Sequence, residues 1–325
     1  MKERSVAAGR IIVCSLLLAG LAACGQRQPA AGSAAAPPAT AAGPAAAGNA
    51  APVRAAEAAR GPLITLSPDN VHIEYHLYGQ GEPAVILVHG WACDANYWQS
   101  QIGPLASHYT VVAVNLAGHG ASAANRSDWS IANYAQDVVA VARQIPNRQL
   151  VLVGHAMGAA VALAATPLLG DRVIGIVAVE ALRSVGEPPL AASEIERHVA
   201  PFSANFIGAT RQLVTDQLFE KGADPLLVQK VAYDMALEPP AVAVPSLRAL
   251  LATDLTSLLP AIHVPVYAIN SDLRPTDAAR IRRSVPGLTL DVLDHSGHFL
   301  MMEAPARFNP LLLRDVAAIA RRAAH

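Results

Sequence analysis

The chain is predicted to fold as an α/β domain, a mostly parallel central sheet with helices on both faces and a helical insert. Three observations carry this. From about residue 62 onward, short apolar strand-like runs alternate with helix-like ones. One strand-like run, Val151-Leu152-Val153, passes through Gly154-His155-Ala156-Met157-Gly158 straight into a helix-like stretch, so strand, glycine-bracketed turn and helix follow without a loop. The interval 182–259 then interrupts the alternation with helical signals only.

In chain order, residues 63–66 and 71–78 read as an antiparallel lead-in. Strands are expected at 84–88, 111–114, 150–153, 173–179, 264–269 and 288–293, each a short apolar run of the kind buried on both faces. Helices are expected near 97–105, 131–143, 156–166, 277–283 and 308–322. Within the insert, Asp224-Pro225 is a helix start, with a side-chain cap and proline at the first helical position. Leu227, Val231 and Met235 then fall on one face, and Phe206, Ile207, Val214 and Leu218 form a second apolar stripe. An insert between the sixth and seventh strands lies over the carboxyl edge of the sheet, where ligands bind in open α/β folds, so it is read as a lid.

The first 61 residues differ in kind. Lys2, Arg4 and Arg10 precede an apolar core at 11–21 and the small-residue site Leu21-Ala22-Ala23, as in a secretory signal over 1–23 whose core is too short to span a bilayer. From Gly25 to about Gly61 the chain is almost wholly Ala, Pro, Gly and Ser; it lacks the apolar surface to offset ordering and is expected to be a disordered spacer over 24–61. Signal and spacer inflate the hydrophobic fraction of 53% and the mean hydropathy of +0.32, so neither argues for an embedded domain. A formal charge of -1 with no basic stripe gives no indication of nucleic acid as a partner. Once Cys14 leaves with the signal, Cys24 and Cys93 remain, too few for a disulfide framework within the domain or a thiolate metal site. No Gly-x-Gly-x-x-Gly follows the first long strand and the histidines lack metal-ligand spacing, so no cofactor is expected.

Two resemblances sharpen this. Leu21-Ala22-Ala23-Cys24 resembles the lipobox of bacterial lipoproteins, which implies acylation of Cys24 and anchoring in the cell envelope. With Gly25 rather than Asp next, it implies the outer membrane, periplasm-facing. Further on, five motifs stand at strand ends in a fixed order. His89-Gly90-Trp91 follows 84–88, and Asn115-Leu116-Ala117-Gly118-His119-Gly120 follows 111–114. Gly154 to Gly158 comes next, Val264-Pro265-Val266 leads toward Asn270-Ser271-Asp272, and Gly297-His298-Phe299 comes last. Together they resemble the α/β-hydrolase superfamily over essentially all of 63–322.

That resemblance implies a nucleophile, an acid and a histidine in that chain order. Here they would be Ala156, Asp272 and His298, with Glu180 at the end of the sixth strand as reserve acid, and the N–H groups of Trp91 and Met157 as the oxyanion hole. The nucleophile position holds a methyl group where serine is expected. A methyl neither attacks a carbonyl nor gives up a proton, so the serine route is closed. A water activated by His298 remains open as a general-base route. Aminoacrylate hydrolases in the superfamily can show a similar Gly-His-Ala-Leu-Gly elbow, and other members bind without turnover. Three readings stand at this stage: a hydrolase of a small, mostly apolar ester- or amide-like compound, a ligand-binding or sensing lipoprotein, and a serine esterase disabled by design, which a serine codon at position 156 of the encoding gene would reveal.

The other reactive-looking residues have quieter expectations. His155 should point away from the site, and His89 and His119 should stabilise turns. His298 is preferred to His295 by its Gly-His-Phe context, and Asp294 belongs to a strand-end turn. Cys93 is expected as a buried, inert thiol, and Met157, Met301 and Met302 as pocket or core filler. Substrate identity and oligomeric state are not written in the sequence.

Overall fold

The computed structural model describes residues 60–324; the signal segment, Cys24 and the spacer up to residue 59 lie outside the described residues. Eight strands form one sheet: β1 (Arg60–Leu66), β2 (His72–Tyr78), β3 (Ala84–Val88), β4 (Thr110–Val114), β5 (Leu150–His155), β6 (Val173–Val179), β7 (Val266–Ser271) and β8 (Thr289–Leu293). Their order is β1-β2-β4-β3-β5-β6-β7-β8. β1 pairs antiparallel with β2 and β2 with β4, while every other pair is parallel. The expected lead-in and parallel sheet are therefore both present.

The central strands form because they are apolar without interruption. All of β3 and β4, and Leu150 to Val153 of β5, are buried, as strands covered on both faces must be. Expected and observed boundaries differ where the chain carries proline. β7 starts at Val266, after Pro265, which has no N–H to give a ladder; the Pro265 carbonyl instead accepts from Ile176 N–H at 3.0 Å.

The covering helices are α1 (Gln99–Ala106), α2 (Ile131–Ala142), α3 (Met157–Leu169), then α4 (Ala192–Ala204), α5 (Phe206–Leu213), α6 (Pro225–Ala236), α7 (Pro240–Ala252) and α8 (Leu255–Leu258) of the insert, and finally α9 (Ala278–Ser284), α10 (Leu300–Glu303) and α11 (Pro305–Ala323). The stretch expected as a single helix near 97–105 is split into a 3-10 turn, Ala95–Trp98, and α1. Asp94 caps that turn by accepting from Asn96 N–H at 2.9 Å. Between β6 and β7 the described residues contain helices and turns but no strand, as expected.

The insert sits on the loops at the carboxyl edge. Trp91 Nε1–H donates to the Ala243 carbonyl of α7 at 2.7 Å, and His298 N–H donates to the Leu218 carbonyl at 2.7 Å. Val231 and Met235 of α6 are buried beneath it, as are Phe206, Val214 and Leu218. Ile207 is a correction to the second stripe: it is 53% exposed on the outer side.

The turn after β4 is held by a buried ion-pair network. Arg126 is almost wholly buried and reaches Asp69 (Nε to Oδ2 at 2.7 Å) and Asp137 (Nη1 to Oδ2 at 3.0 Å), while Asp137 also accepts from Ala117 N–H at 3.1 Å. Asp137 is fully buried, so removing its cation strands a charge. Arg126→Ala is expected to cost about 3–5 kcal/mol in urea unfolding. A loss below about 1 kcal/mol would show that the network contributes little.

Candidate active site

The elbow is built by close approach. A Cβ on Gly154 would stand 2.2 Å from the Gly158 carbonyl oxygen, and one on Gly158 would stand 2.3 Å from the Val88 carbonyl oxygen. Only glycine at both positions lets α3 start directly against β5 and β3. Between them Ala156 takes φ 49°, ψ -111°, a strained backbone for a residue with a side chain. It is half-buried. The strain of a nucleophile elbow is thus kept although the side chain is a methyl.

His298 packs on the residue before Ala156. The His155 ring, one residue before Ala156, lies 4.7 Å from the His298 ring, centroid to centroid, and His155 Nε2–H donates to the His298 carbonyl at 2.9 Å. His155 is buried, turned beneath the site, and burial first, then His298, hold its imidazole down at about 3. It packs against Trp98 and Phe299 as well.

The carboxylate that meets His298 is Glu180. His298 Nδ1 lies 3.1 Å from Glu180 Oε2, which fixes the proton on Nδ1 and leaves Nε2 as the acceptor. Asp272, the acid preferred from sequence, is exposed, and its N–H donates to the Leu293 carbonyl at 3.1 Å. The physical reason is register. β7 runs two residues further than expected, through Ser271, so Asp272 continues the ladder with β8 at the solvent rim. Glu180 takes φ 53° directly after β6, and that turn brings its carboxylate under His298.

Glu180 is fully engaged. Arg183 forks onto it, Nη2 to Oε1 at 2.9 Å and Nη1 to Oε2 at 3.0 Å, and Ser271 N–H donates to Oε1. Burial alone would raise its pKa; the bonds from His298 and Arg183 outweigh this and hold it at about 2. Arg183 also donates to the Ser271 carbonyl at 3.1 Å, tying β6 to β7. Neither Arg183 nor Glu303 was singled out by sequence reasoning. Glu303 brackets the histidine: its carboxylate accepts from Gly297 N–H at 3.0 Å and from Phe299 N–H at 3.1 Å. The one available signal was a carboxylate five residues after His298, at the end of a short helix.

On the other side of the elbow lies the loop after β3. His89 Nδ1–H donates to the Gly90 carbonyl at 2.8 Å and His89 Nε2 accepts from Leu116 N–H at 3.0 Å, joining this loop to the turn after β4. No acceptor among the described residues takes the Trp91 N–H, and Met157 opens α3, where the first N–H groups have no intrahelical partner. Above the loop, Phe202 and Phe206 of the insert close on the Trp91 ring at 5.4 and 6.2 Å, an apolar aromatic wall.

The remaining candidates stand apart. His295 is exposed at φ 45°, and Asp294 pairs with Arg307 at 2.7 Å. Cys93 is buried with its thiol donating to the Trp91 carbonyl, and burial pushes it up, away from thiolate chemistry. Met157 and Met301 are fully buried and Met302 is half-buried. Two recesses, of about 400 Å³ beside Ile145 and Arg172 and about 270 Å³ beside Leu259 and Arg322, open near the amino edge of the sheet and touch none of these residues. Among the described residues no group of three or more His, Cys, Asp or Glu is arranged to hold a metal ion.

One contact joins the insert to the turn after β4, a buried imidazole facing a half-buried carboxyl. Glu238, between α6 and α7, places Oε1 3.7 Å from His119 Nε2, while His119 Nδ1–H donates to the Ala117 carbonyl at 2.9 Å. Burial first, then Asp94, pushes Glu238 up to about 8, whereas burial and His89 hold His119 down to about 3. A carboxyl raised above its ordinary 4.5 contributes stability that is complete below that value and is lost as pH rises to about 8. Glu238→Gln, a permanent mimic of the neutral acid, is expected to raise Tm at pH 8.5 by several degrees and to leave it unchanged at pH 5. Equal shifts at both pH values would contradict this.

With strand order, elbow and imidazole–carboxylate pair in place, comparison with known proteins is decisive: the model of the family described as "Alpha/beta hydrolase family" matches residues 85–311. The chain belongs to the α/β-hydrolase family. Similar curated proteins include the Petunia hybrida "Karrikin insensitive 2 receptor CA", 25% identical over 271 residues (74% of this chain, 94% of that protein). Another is the "3-oxoadipate enol-lactonase 2" of Acinetobacter baylyi, 24% identical over 252 residues (75% and 93%). Among solved structures, an Exiguobacterium antarcticum esterase superposes with a TM-score of 0.71 at 21% identity, covering 78% of this chain and 98% of its own. At that identity the superposition speaks for the α/β-hydrolase fold alone.

Proposed function

We propose that this α/β-hydrolase family protein acts on, or holds, a small and mostly apolar ester-, lactone- or amide-like carbonyl compound. The observation that carries the reading is the His298–Glu180 pair, kept in hydrogen-bond contact beside a strained elbow that has lost only its attacking oxygen. In the hydrolytic form, the substrate carbonyl sits against the N–H groups of Trp91 and Met157. His298 Nε2 takes a proton from a water placed over the Ala156 methyl as that water's oxygen attacks the carbonyl carbon; the tetrahedral oxyanion then collapses, the C–O or C–N bond breaks, and Nε2 returns its proton to the leaving alkoxide or amine. Glu180 keeps the imidazole proton on Nδ1 throughout. The Trp91, Phe202 and Phe206 rings favour an apolar acyl or ring group.

The test uses the chain as it is, with Ala156. Short acyl esters and lactones are supplied, and His298→Ala is expected to lower turnover by about 10²–10⁴, the usual worth of a general base. Turnover unchanged by His298→Ala would remove the base role. The second reading, a binding or sensing protein, is favoured by the methyl at position 156 and by the receptor name of the similar petunia protein. It predicts ligand-dependent thermal stabilisation with no product formed.

The reading places the protein in the bacterial cell envelope, facing the periplasm and tethered at the outer membrane through acylated Cys24. Its support is the lipobox-like Leu21-Ala22-Ala23-Cys24 alone. Metabolic labelling with a fatty-acid analogue is expected to mark Cys24, and an unlabelled Cys24 removes the anchor.

A further inference from the structure

We propose that the outer face of α5 and α6 is a lipid-contacting surface, so that the insert rests on the bilayer to which the amino-terminal segment tethers the domain; this builds on the Cys24 anchor. Eight large hydrophobic residues are exposed among the described residues, and four lie on these two helices or their ends: Ile207 at 53%, Leu226 at 73%, Tyr233 at 54% and Leu237 at 64%. Leu226, Tyr233 and Leu237 are spaced by seven and four residues, which puts them on one face of the helix. Val231 and Met235 occupy the opposite, buried face at 0% and 2%. A helix at a protein surface ordinarily carries one apolar stripe and a polar outer face. α6 carries two apolar stripes.

The chemistry of the outer stripe suits lipid. Lys230 lies within it, paired with Asp234, and Arg211 is exposed on α5 four residues after Ile207, so each helix carries a long cationic side chain on the same face as its exposed apolar ones. Tyr233 supplies an aromatic body with a polar tip, the combination found at membrane interfaces.

The tether explains why a bilayer is the occupant. Residues 24–59 are 36 in all, a reach of at most about 120 Å. The folded part has a radius of gyration of about 18 Å. β1 runs parallel to the main strands, so the chain enters at the amino edge, opposite the insert. A reach this long exceeds the diameter of the folded part, so either edge can turn to the membrane. Surface chemistry then chooses the face. A substrate dissolved in the bilayer would meet the insert one residue from the aromatic wall, since Ile207 is exposed while Phe206, its neighbour, packs on Trp91.

The test uses the mature chain with Cys24→Ser, which carries no acyl group, mixed with phosphatidylethanolamine–phosphatidylglycerol vesicles at millimolar lipid and sedimented. It is expected to bind, and Leu226→Glu with Leu237→Glu is expected to lower partitioning at least tenfold, with circular dichroism and Tm unchanged. The other exposed apolar pair, Ile64 and Leu66 on β1, is the control, and Ile64→Glu with Leu66→Glu is expected to change partitioning less than twofold. No vesicle binding, full binding by the Leu226/Leu237 variant, or a loss carried by Ile64 and Leu66 would each overturn the proposal. The protein tested has no acyl chain, so this result is separate from the fatty-acid labelling that tests the anchor.

Discussion

Ala156→Ser is expected to raise kcat/KM on a short acyl ester such as p-nitrophenyl acetate by at least about 10³ over the parent chain. Loss of the nucleophile in a serine hydrolase costs on the order of 10⁶ in turnover, so its return has a large range to recover. Position 156 already holds φ 49°, ψ -111°, the glycines that permit it are in place, and its side chain is only half-buried. The imidazole that would deprotonate the hydroxyl has its tautomer set by Glu180, with Nε2 free to accept. A gain below tenfold would mean that Nε2 or the oxyanion donors are displaced from the elbow.

Glu180→Gln in that serine background is expected to lower kcat by about 10³–10⁴, the scale seen when a triad carboxylate is made an amide and the imidazole takes the wrong tautomer. Asp272→Asn is expected to change kcat less than threefold, because Asp272 is exposed and joins the site only through its backbone. The pair of variants separates the two acids cleanly. Glu180→Gln also weakens the Arg183 fork, so stability is followed alongside rate, and Arg183→Lys, which keeps the charge but not the fork, is expected to lower kcat more than it raises KM. Full activity in Glu180→Gln with loss in Asp272→Asn would reverse the assignment.

The sheet was legible because its central strands are apolar on both faces, a signal that survives without any knowledge of partners. The elbow was legible because Gly154 and Gly158 are required by contacts of 2.2–2.3 Å, and such sites leave a fixed spacing in the chain. The acid was not. Its placement depends on where β7 stops and on a positive φ at Glu180, a non-glycine residue whose composition announces nothing. Arg183, three residues on, becomes meaningful only once Glu180 is known to be buried. Glu303 escaped for a similar reason, since α10 is a four-residue helix without a periodic pattern to read. In the insert, the inward stripe of α6 was visible as Leu227, Val231 and Met235, but the outward one was hidden, because apolar periodicity does not say which of two stripes meets the core.

The proposed function needs the His298–Glu180 pair and the oxyanion donors to act together around position 156. Fluorophosphonate labelling of the Ala156→Ser protein, read by intact mass and peptide mapping, tests it most directly, because phosphonylation needs the elbow, His298 and the oxyanion donors together. One adduct on the introduced serine is expected, absent from the parent chain and abolished by His298→Ala. An unlabelled Ala156→Ser protein that is folded, or labelling that persists without His298, would contradict the account.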